Sequence, residues 1–298
     1  MTELLRWHGK LQYDVPLARY TSWRVGGGAK CVYQPSDVID LHYFLADLPH
    51  DETVLWLGLG SNTLIRDQGL NATVILTLGG LKTLEQVDSH IIRAEAGVSC
   101  ATLARFSARQ GLGGLAFLAG VPGTVGGALR MNAGAHGGET WDYVMCVETI
   151  DKQGQVHIRY PDAYNIQYRS VELNNANSAE WFVAAYFKLP HCEVHDAQQA
   201  IKDLLARRAA TQPINEYTCG SVFRNPPGDY AARLIEACNL KGVAIGDAYV
   251  SPKHANFIVN RGHASAYDIE QLIQHVAQQV KQKFDIELHR EVHIIGGT

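Results

Sequence analysis

The sequence predicts an α+β protein in two parts: a glycine-rich, strand-bearing region to about residue 195, then an α/β unit of roughly 100 residues. Three observations lead there. Short apolar runs bounded by turn residues recur through the first part. Many of the 28 glycines crowd into it, most densely from Gly111 to Gly138. Near residue 195 the apolar spacing then changes from a strand period to a helical one.

Each element has a local reason. TVLWLG (from Thr53), TVILTLG (from Thr73) and HIIRAEAG (from His90) are β-branched, apolar and bounded by turns, so they read as strands. YVMCVETI, the turn DKQG and QVHIRY read as a hairpin, and WFVAAYFKL (from Trp181) as a further strand after the polar loop LNNANSAE. Ser99 can cap a helix that carries Leu103, Ala104 and Phe106 and is stopped by Gly111. HDAQQAIKDLLARRAA puts Ala197, Ala200, Ile201, Leu204 and Leu205 at helical spacing, and a second helix starts near Asp229 with Leu234, Ile235 and Cys238 inward. Ser265 and Asp268 form a capping box for a third, which carries Ile269, Leu272, Ile273, Val276, Val280 and Phe284 on one stripe. The tail IELHREVHIIGG alternates and predicts a strand, with Val292 and Ile294 on one face and Glu291 and His293 on the other.

Bulk properties narrow the function. A net charge of −4 gives no general attraction to nucleic acid or to an anionic membrane. The N-terminus lacks the basic-then-apolar pattern of a secretory signal, and no apolar run approaches the ~18 residues of a membrane span. Six cysteines without a CxxC pair predict reduced thiols, so the expectation is a soluble, cytoplasmic protein.

Several stretches could carry chemistry. No GxGxxG follows a strand, so the Rossmann fingerprint is missing. GLGSNTLIRDQG, GVPGTVGGA and TSWRVGGG are either ordinary tight turns or loops whose glycines let backbone amides approach an anion such as a diphosphate. HCEVH and HREVH do not match HExxH. On a strand His289 and His293 would lie about 13 Å apart at ~3.3 Å per residue, so no metal is expected. Arg169 is either a solvated cation or a two-pronged clamp for a carboxylate. Glu291 is either a surface residue or aimed into a cleft. Ser221, in CGSVFRNP, lies in neither GxSxG nor SxxK, so spacing alone makes it a turn or cap residue more readily than a nucleophile.

Together these segments resemble the UDP-N-acetylenolpyruvoylglucosamine reductase family. Eight ordered segments carry the resemblance over nearly the whole chain: TSWRVGGGA, GLGSNTLI, GLGGLAFLAGVPGTVGGALRMNAGAHGGE, YNIQYRS, CGSVFRNP, LIEACNLKGVAIG, SPKHANFIVN and HREVHIIG. No inserted tyrosine-bearing loop precedes Ser221, which looks like the family's shorter subtype. The resemblance implies a two-lobed FAD-binding domain of the p-cresol methylhydroxylase/vanillyl-alcohol oxidase type over residues 1–195. A substrate-binding domain would follow over 196–298, with its C-terminal strand returning to the active site.

It also implies chemistry. FAD would be held non-covalently at Gly58, Gly60, Ser61, Asn62 and Thr63, and at Gly120, Pro122, Gly123, Thr124, Gly126, Gly127 and Ala128. NADPH would deliver the electrons and leave; the enolpyruvyl ether of UDP-N-acetylglucosamine would then bind and become UDP-N-acetylmuramate. The family's catalytic positions match Arg169, Ser221 and Glu291. Arg169 would hold the substrate carboxylate, Ser221 would give a proton to carbon, and Glu291 would need to be protonated or held by Arg169. Tyr168, Arg224, Asn225 and His254 would contact the sugar nucleotide. Arg224 stands where the family usually has lysine, Gly28 where proline is common, and His289-Arg290 departs from the usual residues before the glutamate. The expected partners are small molecules only, in a monomer or weak oligomer. The alternatives are an FAD-linked oxidase of a hydroxy acid or alcohol on the same fold, a serine hydrolase, and a flavin-binding module without turnover.

Overall fold

The computed structural model describes residues 6–174 and 179–297, and the chain divides into two compact units. Unit 1 comprises Met1–Gln12, Cys31–Gly58 and Ala72–Ala206, and unit 2 comprises Tyr13–Lys30, Leu59–Asn71 and Arg207–Thr298. The middle of the polar loop LNNANSAE, residues 175–178, lies outside the described residues.

Unit 1 is built on a five-stranded antiparallel sheet, in the order Val156–Arg159, Val144–Asp151, Glu180–Lys188, Ile91–Glu95, Leu84–Asp88. The expected hairpin pairs Ile150 with Val156, and Asp151 closes its turn by accepting the Gln153 and Gln155 amides (2.9 Å each). Helix α1 (Val38–Asp47) contributes Leu41, Phe44 and Leu45 to one apolar cluster with Tyr33, Ile75, Ile150 and Val183. Helices α2 (Cys100–Arg109) and α3 (Val125–Arg130) join a second cluster with Val147, Ala185 and Phe187. Ser99 caps α2 as expected, its hydroxyl accepting the Thr102 amide at 3.1 Å. Helix α4 (Val194–Thr211) packs Ala197, Ile201, Leu204 and Leu205 against this second cluster.

Unit 2 centres on a four-stranded antiparallel sheet: Tyr217–Thr218, Ile258–Asn260, Ala248–Val250, Ala244–Ile245. Helices α5 (Ala231–Ala237) and α6 (Ala266–Phe284) share its core, α6 through Ile269, Leu272, Ile273, Val276 and Val280. The Ser265–Asp268 capping box is present. Two early segments belong to this unit for specific reasons. Trp23 is fully buried in its core, and its indole donates to the Ile258 carbonyl while Asn260 donates to the Trp23 carbonyl (2.8 Å each). Thr63–Ile65 pairs in parallel with His293–Ile295, and Asp67 accepts the first two amides of α6 at 3.0 Å.

The tail departs from expectation. Only His293–Ile295 is strand, whereas Ile286–Val292 runs outside regular structure apart from a bridge between Arg290 and Phe223. The backbone bonds of this stretch go to the loop that carries Ser221, so it never builds a regular ladder: the Arg224 amide donates to the His289 carbonyl, and the Glu291 amide to the Val222 carbonyl. No helix of the described residues is long and apolar enough to cross a membrane.

Candidate active site

In unit 2, Ser221 and Glu291 are brought together by backbone pairing. Gly220 precedes the serine at φ 84°, a left-handed conformation that glycine adopts without penalty. Neither Ser221 nor its neighbours belong to a helix or strand, so their polar backbone groups need other partners. Glu291 supplies one of these: its amide donates to the Val222 carbonyl at 2.8 Å. Asn256, 3 % exposed, supplies most of the rest. Its carbonyl accepts the Val222 amide (2.9 Å), its side-chain oxygen accepts the Phe223 amide (3.0 Å), and its side-chain nitrogen donates to the Phe223 carbonyl (2.8 Å).

Asn62 ties the loop Gly60–Thr63 to the same place. Its side chain donates to the Glu291 carbonyl (3.1 Å), and its own carbonyl accepts the His293 amide (3.0 Å). Gly60 (φ 62°) lies against Tyr20 and Thr21 so closely that a Cβ would come within 3.0 Å of both. The Cys219 thiol is pushed well up in pKa, first by burial and then by the charge of Glu291. A cleft of about 530 Å³ is lined by Arg224 and residues 287–293, among them Glu291. Glu291 is half-buried and lines this cleft.

Two expected ligand contacts sit nearby in the chain. The Asn225 side-chain oxygen accepts the Ala231 amide (3.1 Å) at the start of α5, so only its NH2 end would serve a ligand. His254 packs on Phe257 with ring centroids 4.6 Å apart, and burial lowers its pKa, which keeps the imidazole neutral near pH 7. Its buried Nδ1 has no hydrogen-bond partner among the described residues.

In unit 1, Arg169 does not merely follow a hairpin; it forms the turn of one. Tyr164–Gln167 pairs with Ser170–Leu173, and Tyr168 and Arg169 make the two-residue connection. Arg169 adopts φ 58°, a strained region for a residue with a Cβ. Its guanidinium donates to the Asn132 carbonyl (3.2 Å) and the Gly134 carbonyl (2.7 Å) and stacks over the exposed Tyr168 ring at 4.9 Å. Asn132 and Gly134 directly follow α3, so the turn is fastened to the glycine loop that begins at Gly120. The Asn132 side chain in turn bonds Glu139 and the Trp141 amide.

That glycine loop carries the clearest sign of a ligand. Thr124 precedes α3 without capping it, and its buried hydroxyl has no hydrogen-bond partner among the described residues. Gly58 lies against the same hydroxyl: a Cβ there would come closer than 3.0 Å to it. A Cβ on Gly126 would press on Ala96. A bare-backbone cradle around an unsatisfied hydroxyl fits a polar cofactor segment. The amides of Val125 and Gly126 are already bonded to Val98 and Ala96, so they do not face a ligand.

Comparison with known proteins decides what these parts belong to. The model of the C-terminal domain of UDP-N-acetylenolpyruvoylglucosamine reductase matches residues 212–295, and that of an FAD binding domain matches residues 29–158. A UDP-N-acetylenolpyruvoylglucosamine reductase of Legionella pneumophila (strain Corby) is 57% identical over 289 residues, covering 97% of this chain and 93% of its own. This chain belongs to that reductase family. Its namesake in Coxiella burnetii (strain RSA 493 / Nine Mile phase I) is 56% identical over 311 residues, covering 98% of this chain and 97% of its own. The solved UDP-N-acetylenolpyruvylglucosamine reductase of Thermus caldophilus superposes with a TM-score of 0.81 at 30% identity, over 97% of this chain and 99% of that one. A 6-hydroxy-D-nicotine oxidase of Arthrobacter nicotinovorans shares the fold alone, at 11% identity and a TM-score of 0.54. The chain thus has the α+β FAD-binding fold of the p-cresol methylhydroxylase/vanillyl-alcohol oxidase type, and it is an FAD-containing oxidoreductase of the reductase family.

Sequence reasoning gave Asn256 and Asn132 no role, although both lie inside segments that carried the resemblance. The one available signal was weak: asparagine beside turn residues often serves the backbone with its side chain.

Proposed function

We infer that this chain catalyses the NADPH-dependent reduction of the enolpyruvyl ether of UDP-N-acetylglucosamine to UDP-N-acetylmuramate, a step of peptidoglycan precursor synthesis. The observation that carries the reading is 57% identity to a reductase of that name across 97% of this chain. FAD, when bound, would supply the hydride-transfer chemistry that links NADPH to the ether. Gly58 and Thr124, with the loops Gly58–Thr63 and Gly120–Ala128, would hold its polar portion. The unsatisfied Thr124 hydroxyl and the bare glycine wall support that assignment.

The remaining work falls to side chains. As the vinyl carbon is reduced, negative charge develops on the neighbouring carbon and its carboxylate. Arg169, already oriented by two backbone carbonyls, would bind that carboxylate and stabilise the charge. Ser221 would give its proton to the carbon. An alcohol is a weak acid, but a carbanion-like enolate is basic enough to take its proton. The serine is thus a general acid and not a nucleophile. Glu291, linked to the serine loop through the Val222 carbonyl, would complete the polar set around the substrate acid. Arg224, Asn225, His254 and Tyr168 would contact the sugar nucleotide, His254 as a neutral imidazole.

The enzyme would act in the cytoplasm, where its nucleotide substrates are, as a monomer or weak oligomer. The test uses purified protein. It should be yellow with flavin absorption and should oxidise NADPH only when the enolpyruvyl ether is added. NADPH oxidation that ignores the ether, or turnover of a hydroxy acid without NADPH, would sink the reading.

A further inference from the structure

We propose that Asn256 is a positioning residue for the proton-donating serine, acting as a one-residue substitute for a neighbouring strand. The inference rests on the functional reading above.

Val222 and Phe223, the two residues after Ser221, present four backbone polar groups between them, two amides and two carbonyls. Three of the four are met by Asn256: the Val222 amide by its carbonyl, the Phe223 amide by its side-chain oxygen, and the Phe223 carbonyl by its side-chain nitrogen. The fourth, the Val222 carbonyl, is met by the Glu291 amide. Ser221 therefore hangs from a dipeptide gripped by Asn256 on one side and by the glutamate's own backbone on the other.

Residue type matters here. A carboxamide places one donor and one acceptor side by side, the pair that the two polar groups of a single residue require. Aspartate of the same shape keeps the acceptor but, when ionised, turns a second oxygen toward the Phe223 carbonyl. Leucine of similar size offers neither. Val222 and Phe223 are 1 % exposed each, so water has little access to replace a lost partner. The Asn256 side chain is itself committed to Phe223. Its influence on the reaction therefore runs through the main chain to the Ser221 hydroxyl.

Proton transfer is more sensitive to such displacement than binding is: a misplacement of ~1 Å can cost about 10²-fold. The half-reactions separate the two. Reduction by NADPH needs no proton from Ser221; reoxidation by the enol ether does. In stopped-flow measurements on the FAD-loaded enzyme, Asn256→Leu should keep NADPH reduction within about twofold of wild type while reoxidation by the ether falls by 10- to 100-fold. Asn256→Asp tests the same point should the leucine variant not fold. Its reoxidation should be slow at pH 8 and recover relative to wild type as pH is lowered, because a protonated carboxyl regains the donor. Equal slowing of both half-reactions, or unchanged reoxidation in a folded variant, overturns the positioning role alone. A wild-type enzyme that passes no electrons from NADPH to the ether overturns the functional reading and this inference with it.

Discussion

The turn that carries Arg169 and the loop that carries Ser221 are held by different means. Arg169 occupies a two-residue hairpin turn, where the paired strands set its left-handed backbone and the carbonyls of Asn132 and Gly134, 37 and 35 residues earlier, hold its guanidinium. The strain of that backbone, about 1–2 kcal/mol, is held by the paired strands on both sides. Ser221 has no regular structure around it, and the two residues that follow it take their partners from far along the chain: Asn256, 35 residues after the serine, and Glu291, 70 residues after it. The contrast teaches that a turn between paired strands sets its own backbone locally, whereas the serine loop, with no ladder of its own, takes its backbone partners from two distant segments.

Ser221→Ala should break the comparison most sharply. It removes the proton source and leaves the loop's backbone bonds intact. Reoxidation by substrate should drop by about 10²-fold or more, with NADPH reduction nearly unchanged. Equal slowing of both half-reactions would instead assign the hydroxyl a structural role. Arg169→Lys should weaken substrate turnover by about 10-fold or more, since an ammonium cannot reproduce two bonds to neighbouring carbonyls together with a carboxylate clamp. Its signature should be a raised KM for the ether as well as a lower kcat. A change in kcat with KM unmoved would mean that Arg169 does not hold the ground-state carboxylate.

Gly58→Ala tests the other half of the site. The added methyl must displace the Thr124 hydroxyl, so flavin content, read as the ratio of visible to ultraviolet absorption of purified protein, should fall severalfold while the fold is retained. Full flavin occupancy in that variant would remove Thr124 and Gly58 from the cradle.

Much of this was legible in the sequence, and what was not shares one cause. Ser99, the DKQG hairpin and the Ser265–Asp268 box were readable because each is decided within a few residues. The tail was read as a long strand because alternation was its only local signal. In the structure Leu288 and Val292 are both buried, and the carbonyls and amides between them serve the serine loop. A linear reading placed a boundary near residue 195. The compact units instead assign residues 13–30 and 59–71 to the C-terminal unit, through bonds such as Trp23 to Ile258 that span 235 positions. The candidate site residues rest on the resemblance, and the residues that hold them in place had no signal there. Asn62 lay in a loop read for cofactor, and its side chain reaches the Glu291 carbonyl.

The smallest effect separates the two units by acid. Unit 1 holds four carboxylates with lowered pKa: Asp40, Glu148, Asp151 and Glu180. In each, burial works against ionisation and is outweighed by hydrogen bonds; for Asp40 these come from the His8 amide, the Tyr33 hydroxyl and the Ser36 and Gly9 amides. Unit 2 holds three, Asp229, Glu270 and Asp285, and the largest cause in each is a hydrogen bond from one cationic side chain that is itself partly or largely exposed: Arg233, Arg66 and Lys281. A carboxylate with a lower pKa folded than unfolded contributes stability that is complete above its unfolded value, near 4. That contribution declines as pH falls through this value toward the folded one. Acid should therefore loosen unit 1 before unit 2. Trp7, Trp56, Trp141 and Trp181 report on the first and Trp23 alone on the second, so a Trp23-only variant should hold its fluorescence to a lower pH than the full protein does. Asp40→Asn should flatten the difference by removing one titrating group, at a cost of about 1–3 kcal/mol near neutral pH. Coincident acid transitions in the two proteins would show that the units unfold as one.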